Sequence, residues 1–397
     1  MNNNAEVQWM GKIPKSWSVE RLRYLLEEIK VKNIPIQTQQ VLSLLKDKGV
    51  LLYEEKGDVG NKSKTNLREY KVAYPNTLIV NSMNVLIGAV GISKYKGCVS
   101  PVYYVFKEND RADLRFVNYI FNTREFQNEL RKYANGIMEI RLRISSSDLL
   151  NRLIPLPEKI HQKRIADVLD DKCSEINLLI SDIEKEISIL EKYKKSVIYE
   201  SVTKGFNSNI EMKNSGVEWM GKIPAKWETI ATQYCFNISN GSDPVTSDGD
   251  TPVYGSGEKS FKTCKEFKIG PAVLLGRKGT IDKPQWVEGN YWNVDTAFDV
   301  KEKGNYSLKL FYYSSMCFDY GSYITQTALP SMTKEDYYKF KLPMMSKEEQ
   351  EKIVHYLDKK CSEIDKTIQE KQSQLEILAE YKKSLIYEYV TGKKEVI

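Results

Sequence analysis

Two segments of the chain carry a heptad pattern of apolar residues that continues for about four heptads. In residues 159–205 the apolar positions follow alternating steps of four and three, and residues 347–393 repeat the pattern. Because neither pattern is interrupted by proline or glycine, each predicts a helix of roughly 40 residues and about 60 Å. The apolar positions are Leu169, Cys173, Ile176, Ile180, Ile183, Ile187, Leu190 and Val197 in the first segment, and Leu357, Cys361, Ile364, Ile368, Leu375, Leu378 and Leu385 in the second.

Each predicted helix has to cover its apolar seam, because an amphipathic rod is not stable alone in water. Packing of the two helices on each other, in antiparallel orientation if the repeats are related by a two-fold axis, satisfies both seams. A homodimer formed through the same helices is the alternative. Lys194, Lys371 and Lys382 interrupt the seams, whereas Cys173 and Cys361 lie on them and are expected to be small buried thiols.

The segments before the two helices show a mixed pattern of short apolar runs and polar turns. Residues 77–106 and 271–300 alternate such runs with turns that contain glycine, which predicts short buried strands. Helix-like stretches follow at 116–133 and 307–318. Each variable segment is therefore predicted to be a small α/β domain, and the two domains are predicted to share a topology.

The chain repeats its framework but not its variable segments. VQWMGKIPKSW at 7–17 returns as VEWMGKIPAKW at 217–227, with eight of eleven letters identical. In the long helices CSEI and YKKS return 188 residues later, and so does the spacing from Ser145 or Thr333 to an acidic residue three positions on, which predicts a helix N-cap. Similar ends with divergent middles indicate one framework that holds two different functional surfaces.

These patterns predict an α+β chain in which two small α/β domains are separated by two long antiparallel coiled-coil helices, with an internal pseudo-two-fold repeat. The predicted boundaries are residues 1–157 for the first domain, 158–206 for the first helix, 207–345 for the second domain and 346–397 for the second helix.

The net charge of +6 is unevenly distributed along the chain. Residues 159–205 carry nine basic and nine acidic side chains, and residues 347–397 carry ten and eleven. The helices therefore contribute −1, and the other parts of the chain carry +7. A basic excess outside the helices predicts that a polyanion binds to the globular portions.

The composition narrows the class of protein further. No apolar run reaches the ~20 residues that a membrane-spanning helix needs, and the first twenty residues lack the apolar core of a secretory signal. The six cysteines form no CxxC pair, which is typical of reduced thiols in a cytoplasmic protein. His161 and His355 have no ligand-like neighbours, so the sequence predicts no metal site.

The candidate binding residues are polar side chains in the loops of the two variable segments. Arg, Asn and Gln can bond two atoms of one base edge, whereas Lys, Ser and Thr suit phosphate oxygens. Any one of these residues alone is more readily explained as an ordinary loop residue, and only the set favours recognition. The predicted DNA-binding residues are Asn81, Ser82, Asn84, Lys94, Tyr95, Lys96, Arg141 and Arg143 in the first segment, and Ser239, Asn240, Tyr254, Arg277, Lys278, Thr280, Gln326 and Thr327 in the second.

Motifs of enzymatic chemistry are missing from the sequence. It contains no GxxxxGK[ST] phosphate loop, no glycine-rich cofactor loop that opens a βαβ unit and no GxSxG elbow. No paired-carboxylate nuclease pattern and no (N/D)PPY-type methyltransferase motif is found either. The sequence therefore predicts no catalytic residues.

The repeated motifs resemble those of the specificity subunits of type I restriction–modification enzymes. The resemblance is carried by the opening motif in both halves, by the Gln162 and Gln350 pair and by the long helices that end in YKKS, and it covers essentially the whole chain. The opening motif contributes Gly11, Ile13, Pro14 and Trp17 in the first half, and Gly221, Ile223, Pro224 and Trp227 in the second.

The resemblance implies a non-catalytic reader of a split target in double-stranded DNA, with two target recognition domains held apart by the helices as a ruler. It implies two docked modification subunits that methylate adenine with S-adenosylmethionine, and two restriction subunits that can join them. The assembled enzyme would then be an adenine methyltransferase and an ATP-dependent endonuclease that uses Mg²⁺, with no cofactor in this chain. Each opening motif is expected to be pinned by its Trp against a helix end, without contacting DNA.

Two other functions are compatible with parts of the sequence. A coiled-coil scaffold with protein-binding globular ends would explain the helices, and binding of random duplex DNA at low salt distinguishes it from a DNA reader. A fused, self-sufficient restriction enzyme is disfavoured because its catalytic motifs are missing.

Overall fold

The computed structural model describes residues 8–46, 48–57, 66–136, 142–206, 209–325 and 329–396. The chain forms two compact units, of which unit 1 comprises Met1–Ile183 with Ser373–Ile397 and unit 2 comprises Glu184–Gln372. The division falls within each of the two long helices. In the described parts of the chain, no helix combines the length and the hydropathy that a bilayer span requires.

The elements follow one another in the same general order in both units. Unit 1 contains β1 (Ser18–Arg21), β2 (Leu26–Glu28), β3 (Leu42–Leu45), β4 (Gly49–Leu52), β5 (Lys71–Ala73), β6 (Leu78–Asn81), β7 (Val90–Ile92), β8 (Gly97–Val99), β9 (Tyr103–Glu108), α1 (Leu114–Phe121), α2 (Arg124–Arg131), α3 (Ser146–Leu150) and β10 (Leu153–Leu156). Single 3₁₀ turns occupy Leu22–Tyr24, Tyr53–Lys56, Leu67–Glu69 and Asn84–Ile87. The first long helix, α4 (Lys159–Lys204), leads from unit 1 into unit 2.

Unit 2 continues with β-strands, short helices and the second long helix. Its elements are β11 (Met212–Asn214), β12 (Lys222–Pro224), β13 (Glu228–Ala231), α5 (Thr232–Cys235), β14 (Phe236–Asn240), β15 (Thr251–Tyr254), β16 (Lys262–Cys264), β17 (Lys268–Ile269), β18 (Ala272–Gly276), β19 (Gln285–Val287), β20 (Asn290–Asn293), β21 (Ala297–Glu302), α6 (Leu308–Ser315), α7 (Lys334–Lys339) and β22 (Lys341–Met344). The helix α8 (Lys347–Val390) then returns the chain to unit 1.

Each unit has a four-stranded antiparallel sheet of the same strand order. In unit 1 the order is β2-β9-β6-β7, and in unit 2 it is β14-β21-β18-β19. The central strands are fully buried, as the continuous apolar runs LIV and AVLL predict. The shared topology and the mixed α and β content predicted from the sequence are confirmed.

The long helices pair in antiparallel orientation in unit 2. Lys194 of α4 is bonded to Asp365 of α8 at 2.6 Å, and Glu186 of α4 is paired with Lys371 of α8. The order is antiparallel because α4 advances from 186 to 194 while α8 falls back from 371 to 365. The lysines that interrupt the heptad seams therefore bind acidic residues of the opposite helix, which explains their presence there.

Unit 1 shows the corresponding pairing of the other helix halves. Cys173 and Ile176 of α4 share one core with Leu385 of α8. Lys382, the repeat equivalent of Lys194, donates to Asn177 at 2.8 Å, and Asn177 lies 188 residues before Asp365. The predicted antiparallel helix pair is thus confirmed within each unit.

The seam cysteines are buried, as the sequence predicts. Cys173 and Cys361 are free thiols, and burial raises the pKa of each above its ordinary value. A thiol with a raised pKa is a poor nucleophile at neutral pH, so both residues act as small apolar side chains.

One glutamine in each unit joins a domain to the start of its long helix. In unit 1 the Gln162 side chain accepts a hydrogen bond from Asp113 N at 2.8 Å and donates to the backbone oxygens of Arg111 and Pro157. Asp113 is the N-cap residue of α1. A buried amide that satisfies three backbone groups from two elements fixes their relative position.

Unit 2 repeats this arrangement 188 residues later. Gln350 accepts from Ser307 N at 2.8 Å and donates to the backbone oxygens of Asn305 and Met345. Ser307 is in turn the N-cap residue of α6. The glutamine pair of the repeated motif is therefore explained by its contacts, which are structural.

A tyrosine–aspartate bond in each unit adds a second link one or two turns further along. Tyr119 donates to Asp170 and Tyr313 donates to Asp358, both at 2.6 Å. Burial and the neighbouring carboxylate raise the pKa of both phenols, so they remain protonated donors. Each domain is thus held by two polar links to the long helix that follows it in the chain.

The opening motif packs against a helix end in each unit, as predicted. In unit 2 Trp227 lies over Gly205, the residue that follows α4, and donates to Glu349 at 3.0 Å. In unit 1 Trp17 lies over Gly392, just after α8. The helix that receives the first motif is therefore the one from the far end of the chain.

Replacement of Gly392 by alanine is expected to destabilise the protein strongly. Its φ of +69° is left-handed, and an added Cβ would lie 2.5 Å from Pro14 and 3.1 Å from Trp17. Gly216 is the matched control, since it has the same φ of +69° but nothing within 4 Å of an added Cβ. We expect Gly216→Ala to cost about 1–2 kcal/mol from backbone strain alone. The clash should add about 1–3 kcal/mol in Gly392→Ala, measured by urea unfolding, and equal midpoints would contradict the packing argument.

Candidate nucleic-acid interface

Loops at one end of the unit 2 sheet gather into a polar cluster, which we call loop cluster 2 and define as residues 254–256, 277–280, 294–296 and 330–333. Backbone bonds join these loops. Arg277 N donates to Thr296 O at 2.8 Å, Met332 N donates to Arg277 O at 3.0 Å and Gly279 N donates to Pro330 O at 2.8 Å. Ser256 N reaches Thr296 Oγ1 at 3.3 Å. The side chains of the cluster are therefore presented from a well-ordered base.

A cleft of ≈ 360 Å³ opens beside this cluster. Three predicted residues line it, namely Asn240, Arg277 and Lys278, although they come from separate parts of the chain. The other lining residues are Phe298, Ser331, Met332, Thr333, Lys334 and Glu335. The cleft thus combines amide, guanidinium, ammonium and hydroxyl groups, which suit base edges and phosphates.

The wall of the cleft that carries Thr333 is the N-terminus of α7. Thr333 and Asp336 form the capping box that the sequence predicts, with Thr333 Oγ1 at 2.6 Å from the carboxylate. This hydrogen bond and the Lys339 ammonium lower the pKa of Asp336 below its ordinary value. Asp336 is therefore ionised at neutral pH, and its role is to complete the cap.

The remaining predicted residues of unit 2 lie at varied distances from the cleft. Ser239 precedes Asn240 on β14 and is exposed, with Oγ bonded to Asp299 O. Tyr254 ends β15 within loop cluster 2 and is half-buried, and Thr280 belongs to the same cluster. Gln326 and Thr327 lie outside the described residues.

The corresponding end of the unit 1 sheet carries loop cluster 1, which we define as residues 81–84 and 143–144. Ile144 N donates to Ser82 O at 3.0 Å, which matches the bond from Met332 to Arg277 188 residues later. The exposed Arg143 lies beside Met83, with its Nη2 at 3.7 Å from the sulfur. The structure therefore brings the predicted residues Ser82, Asn84 and Arg143 to one place.

Two predicted residues of loop cluster 1 have structural contacts. Asn81 is buried, and its side chain accepts from the backbone N–H groups of Met83 and Asn84, so that it caps the turn. Ser82 is also buried. The exposed groups that the cluster offers to a ligand are Asn84 and Arg143. A role of these residues in DNA binding stays a prediction, and Arg141 lies outside the described residues.

The structure separates Lys94, Tyr95 and Lys96 from loop cluster 1. They form the turn between β7 and β8, where Ser93 is bonded to Thr77 across the strands. This turn adjoins the start of β6, whereas loop cluster 1 adjoins its end. The sequence could not show this because both segments are polar turns beside the same strands.

Sequence reasoning missed Asp295, Ser331 and Lys334. Asp295 contacts both Arg277 and Lys278, and the other two line the cleft. An acidic residue is not expected in a surface that binds phosphates, so no residue-type rule selects Asp295. Among the described residues, no group of three or more His, Cys, Asp and Glu side chains could hold a metal ion.

Comparisons with known proteins bear on the identity of this chain. A family model described as the type I restriction modification DNA specificity domain matches residues 224–376. The chain is 24% identical to the putative type I restriction enzyme MjaX specificity subunit of Methanocaldococcus jannaschii, over 98% of this chain and 96% of that protein. The predicted resemblance to type I specificity subunits is confirmed. The MjaVIII specificity subunit of the same organism is 25% identical over 58% of this chain and 51% of its own length.

Solved structures share the fold of type I specificity subunits with this chain. A chain from a study of complex assembly and conformational transition of the type I R-M system is 14% identical, with a TM-score of 0.73 over 96% of this chain and 100% of that chain. The HsdS subunit from Thermoanaerobacter tengcongensis is also 14% identical, with a TM-score of 0.50 over 96% of this chain and 98% of its own. At this identity the likeness concerns the fold, which agrees with the long helices and the β-rich domains found here.

Proposed function

We propose that this chain is the non-catalytic reader of a type I restriction–modification complex, in which residues 1–157 and 207–345 each recognise one half of a split target in double-stranded DNA. The observation that carries the proposal is the equivalence of the two loop clusters. Both lie at the same end of the same sheet, and in each unit a Gln and a Tyr–Asp link join the domain to a long helix. Repeated mounts with different polar loops suit two different readings by one framework.

The sequence differences between the loop clusters fit this division of labour. Loop cluster 1 presents Asn84 and Arg143, whereas loop cluster 2 presents Arg277, Lys278 and the cleft with Asn240. Because base edges are distinguished by their donor and acceptor patterns, different side chains at equivalent positions imply different half-sites.

The proposal assigns all chemistry to partner subunits. Two modification subunits would methylate adenine with S-adenosylmethionine, and two restriction subunits can join them to supply ATP- and Mg²⁺-dependent cleavage. This chain would hold no cofactor. The study from which one of the solved chains comes concerns complex assembly of the type I R-M system, which supports such partners.

Methylome sequencing tests this function directly. A host that carries the gene together with its modification subunit should methylate adenine in one motif of two blocks separated by unspecified bases, and deletion of this gene should abolish that methylation. A chain that neither directs methylation nor retains random duplex DNA at low salt would instead be a protein-binding scaffold.

The exposed faces of the long helices offer docking positions for the modification subunit. Ile189 and Tyr193 are exposed on α4 in unit 2, and their repeat equivalents Ile377 and Tyr381 are exposed on α8 in unit 1. Their exposed fractions lie between 47% and 68%, which is unusual for apolar side chains at four equivalent positions. The same face in both repeats suits two identical partner subunits.

We expect the isolated chain to bind DNA weakly until the modification subunit is added. The paired variant Ile189→Glu with Ile377→Glu should weaken association with that subunit at least about tenfold, because each change places a charge in an apolar contact. Val245→Glu is the control, since Val245 is 95% exposed in a domain loop. Gel filtration and binding titrations would measure the effect. Unchanged association in the paired variant would contradict docking at these positions.

A further inference from the structure

Asp295 is an acidic residue in the middle of the basic part of loop cluster 2. Its Oδ2 lies 3.3 Å from Arg277 Nη1 and 3.4 Å from Lys278 Nζ. The backbone oxygen of Asp295 accepts a further bond from the same Nη1 at 3.1 Å. A carboxylate at this position repels DNA phosphates, so its presence needs an explanation other than phosphate binding.

The backbone holds Asp295 in place against Arg277. Val294 N donates to Tyr254 O at 2.9 Å, and Arg277 N donates to Thr296 O at 2.8 Å. The residues on both sides of Asp295 are therefore bonded to neighbouring strands or loops. The contact between the carboxylate and the guanidinium follows from this arrangement, unlike a pair between two flexible surface side chains.

The contact leaves most of the guanidinium free. Within the described parts of the chain, Nη1 is the side-chain nitrogen of Arg277 that has partners, so Nε and Nη2 remain for a ligand. A guanidinium is planar, and two bonds to one of its nitrogens fix the direction of the whole fork. Arg277 is about one-third exposed, with a side-chain fraction of 33%, and it lines the cleft.

We propose that Asp295 is a positioning residue that determines specificity at the second half-site. It orients the free side of Arg277 toward a base edge. It also reduces the attraction of Arg277 and Lys278 for phosphates, which are alike in every sequence. This inference rests on the proposed function of loop cluster 2 as a DNA reader, and it adds that an acidic residue makes the reading selective.

Asp295→Asn separates these roles from a purely structural one. In the complex with the modification subunit, we expect this variant to bind random duplex DNA several-fold more tightly at low salt. The slope of log K against log salt should become steeper by about 0.9 for each additional phosphate that the variant neutralises. Discrimination against changed bases should fall about tenfold in the second half-site and stay unchanged in the first.

Two further variants serve as controls. Asp295→Glu keeps the charge and should restore at least the wild-type salt slope. Glu228→Gln removes one carboxylate from an exposed pair with Lys213 on β13 of the same unit, and it should change neither the slope nor the discrimination. Urea unfolding of all variants shows whether each is folded.

The outcomes distinguish this inference from the proposed function. A wild-type complex without preference for any two-block duplex would overturn the proposed function, and this inference with it. A wild-type complex that reads both half-sites, together with an Asp295→Asn variant that behaves like Glu228→Gln, would overturn the inference alone. Equal loss of discrimination in both half-sites would also overturn it, because Asp295 contacts residues of unit 2 only among those described.

Discussion

Insertion of one heptad into both long helices is expected to lengthen the unspecified spacer of the DNA target by about three base pairs. Seven residues add about 10 Å to a helix, and B-DNA rises about 3.4 Å per base pair. The insertions belong near Ile183 and Lys371, between the residues at which the two compact units divide. Contacts inside each unit, such as Lys194 with Asp365, would then be preserved.

Both helices must be lengthened together, because an insertion in one alone would shift its seam against the other. Methylome sequencing with the paired variant should report the same two sequence blocks at a larger separation. The single insertion in α4 is the control and should reduce folding or activity without defining a new target. Changed blocks with an unchanged spacer would show that the helices are not the ruler.

Loss of the two cations in loop cluster 2 should affect one half-site only. Arg277→Ala is expected to cost about 1–3 kcal/mol of binding and to relax base preference, because a guanidinium can bond two atoms of a base edge. Lys278→Ala should weaken binding to all sequences alike and reduce the salt slope by about one, as expected for a phosphate contact. The two neighbouring residues are thus predicted to differ in kind.

Competition binding with duplexes altered in either half-site would measure these effects in the complex with the modification subunit. Lys213→Ala is the control, because Lys213 is a basic residue of the same unit in an exposed pair with Glu228. An equal loss at both half-sites for Arg277→Ala would argue that the two domains do not read separately. A result in which neither variant differs from the control would remove loop cluster 2 from the interface.

Much of the fold could be predicted because the framework obeys strong local rules. The heptad steps, the absence of internal proline and glycine, and the Ser145 and Thr333 caps all act within a few residues of the chain. The apolar runs of β6 and β18 are likewise explained by burial on both faces. Repetition reinforced these signals, since each local pattern occurred twice.

The sequence also placed part of the candidate site correctly in space. Arg277, Lys278 and Thr280 are adjacent in the chain, and their turn does lie at the end of a buried strand. The resemblance to type I specificity subunits, carried by the opening motif and the helix ends, was likewise available from the letters alone.

Contacts between distant segments were decided only by the tertiary structure. The sequence did not show that Trp17 packs beside Gly392, that Gln162 bonds the N-cap of α1, or that Asp295 holds Arg277. Nor did it separate Lys94–Lys96 from Asn84, although all lie in polar turns of one sheet. The physical reason is that helix and strand patterns record which face is buried, whereas loop contacts depend on where the strands end and which loops meet there.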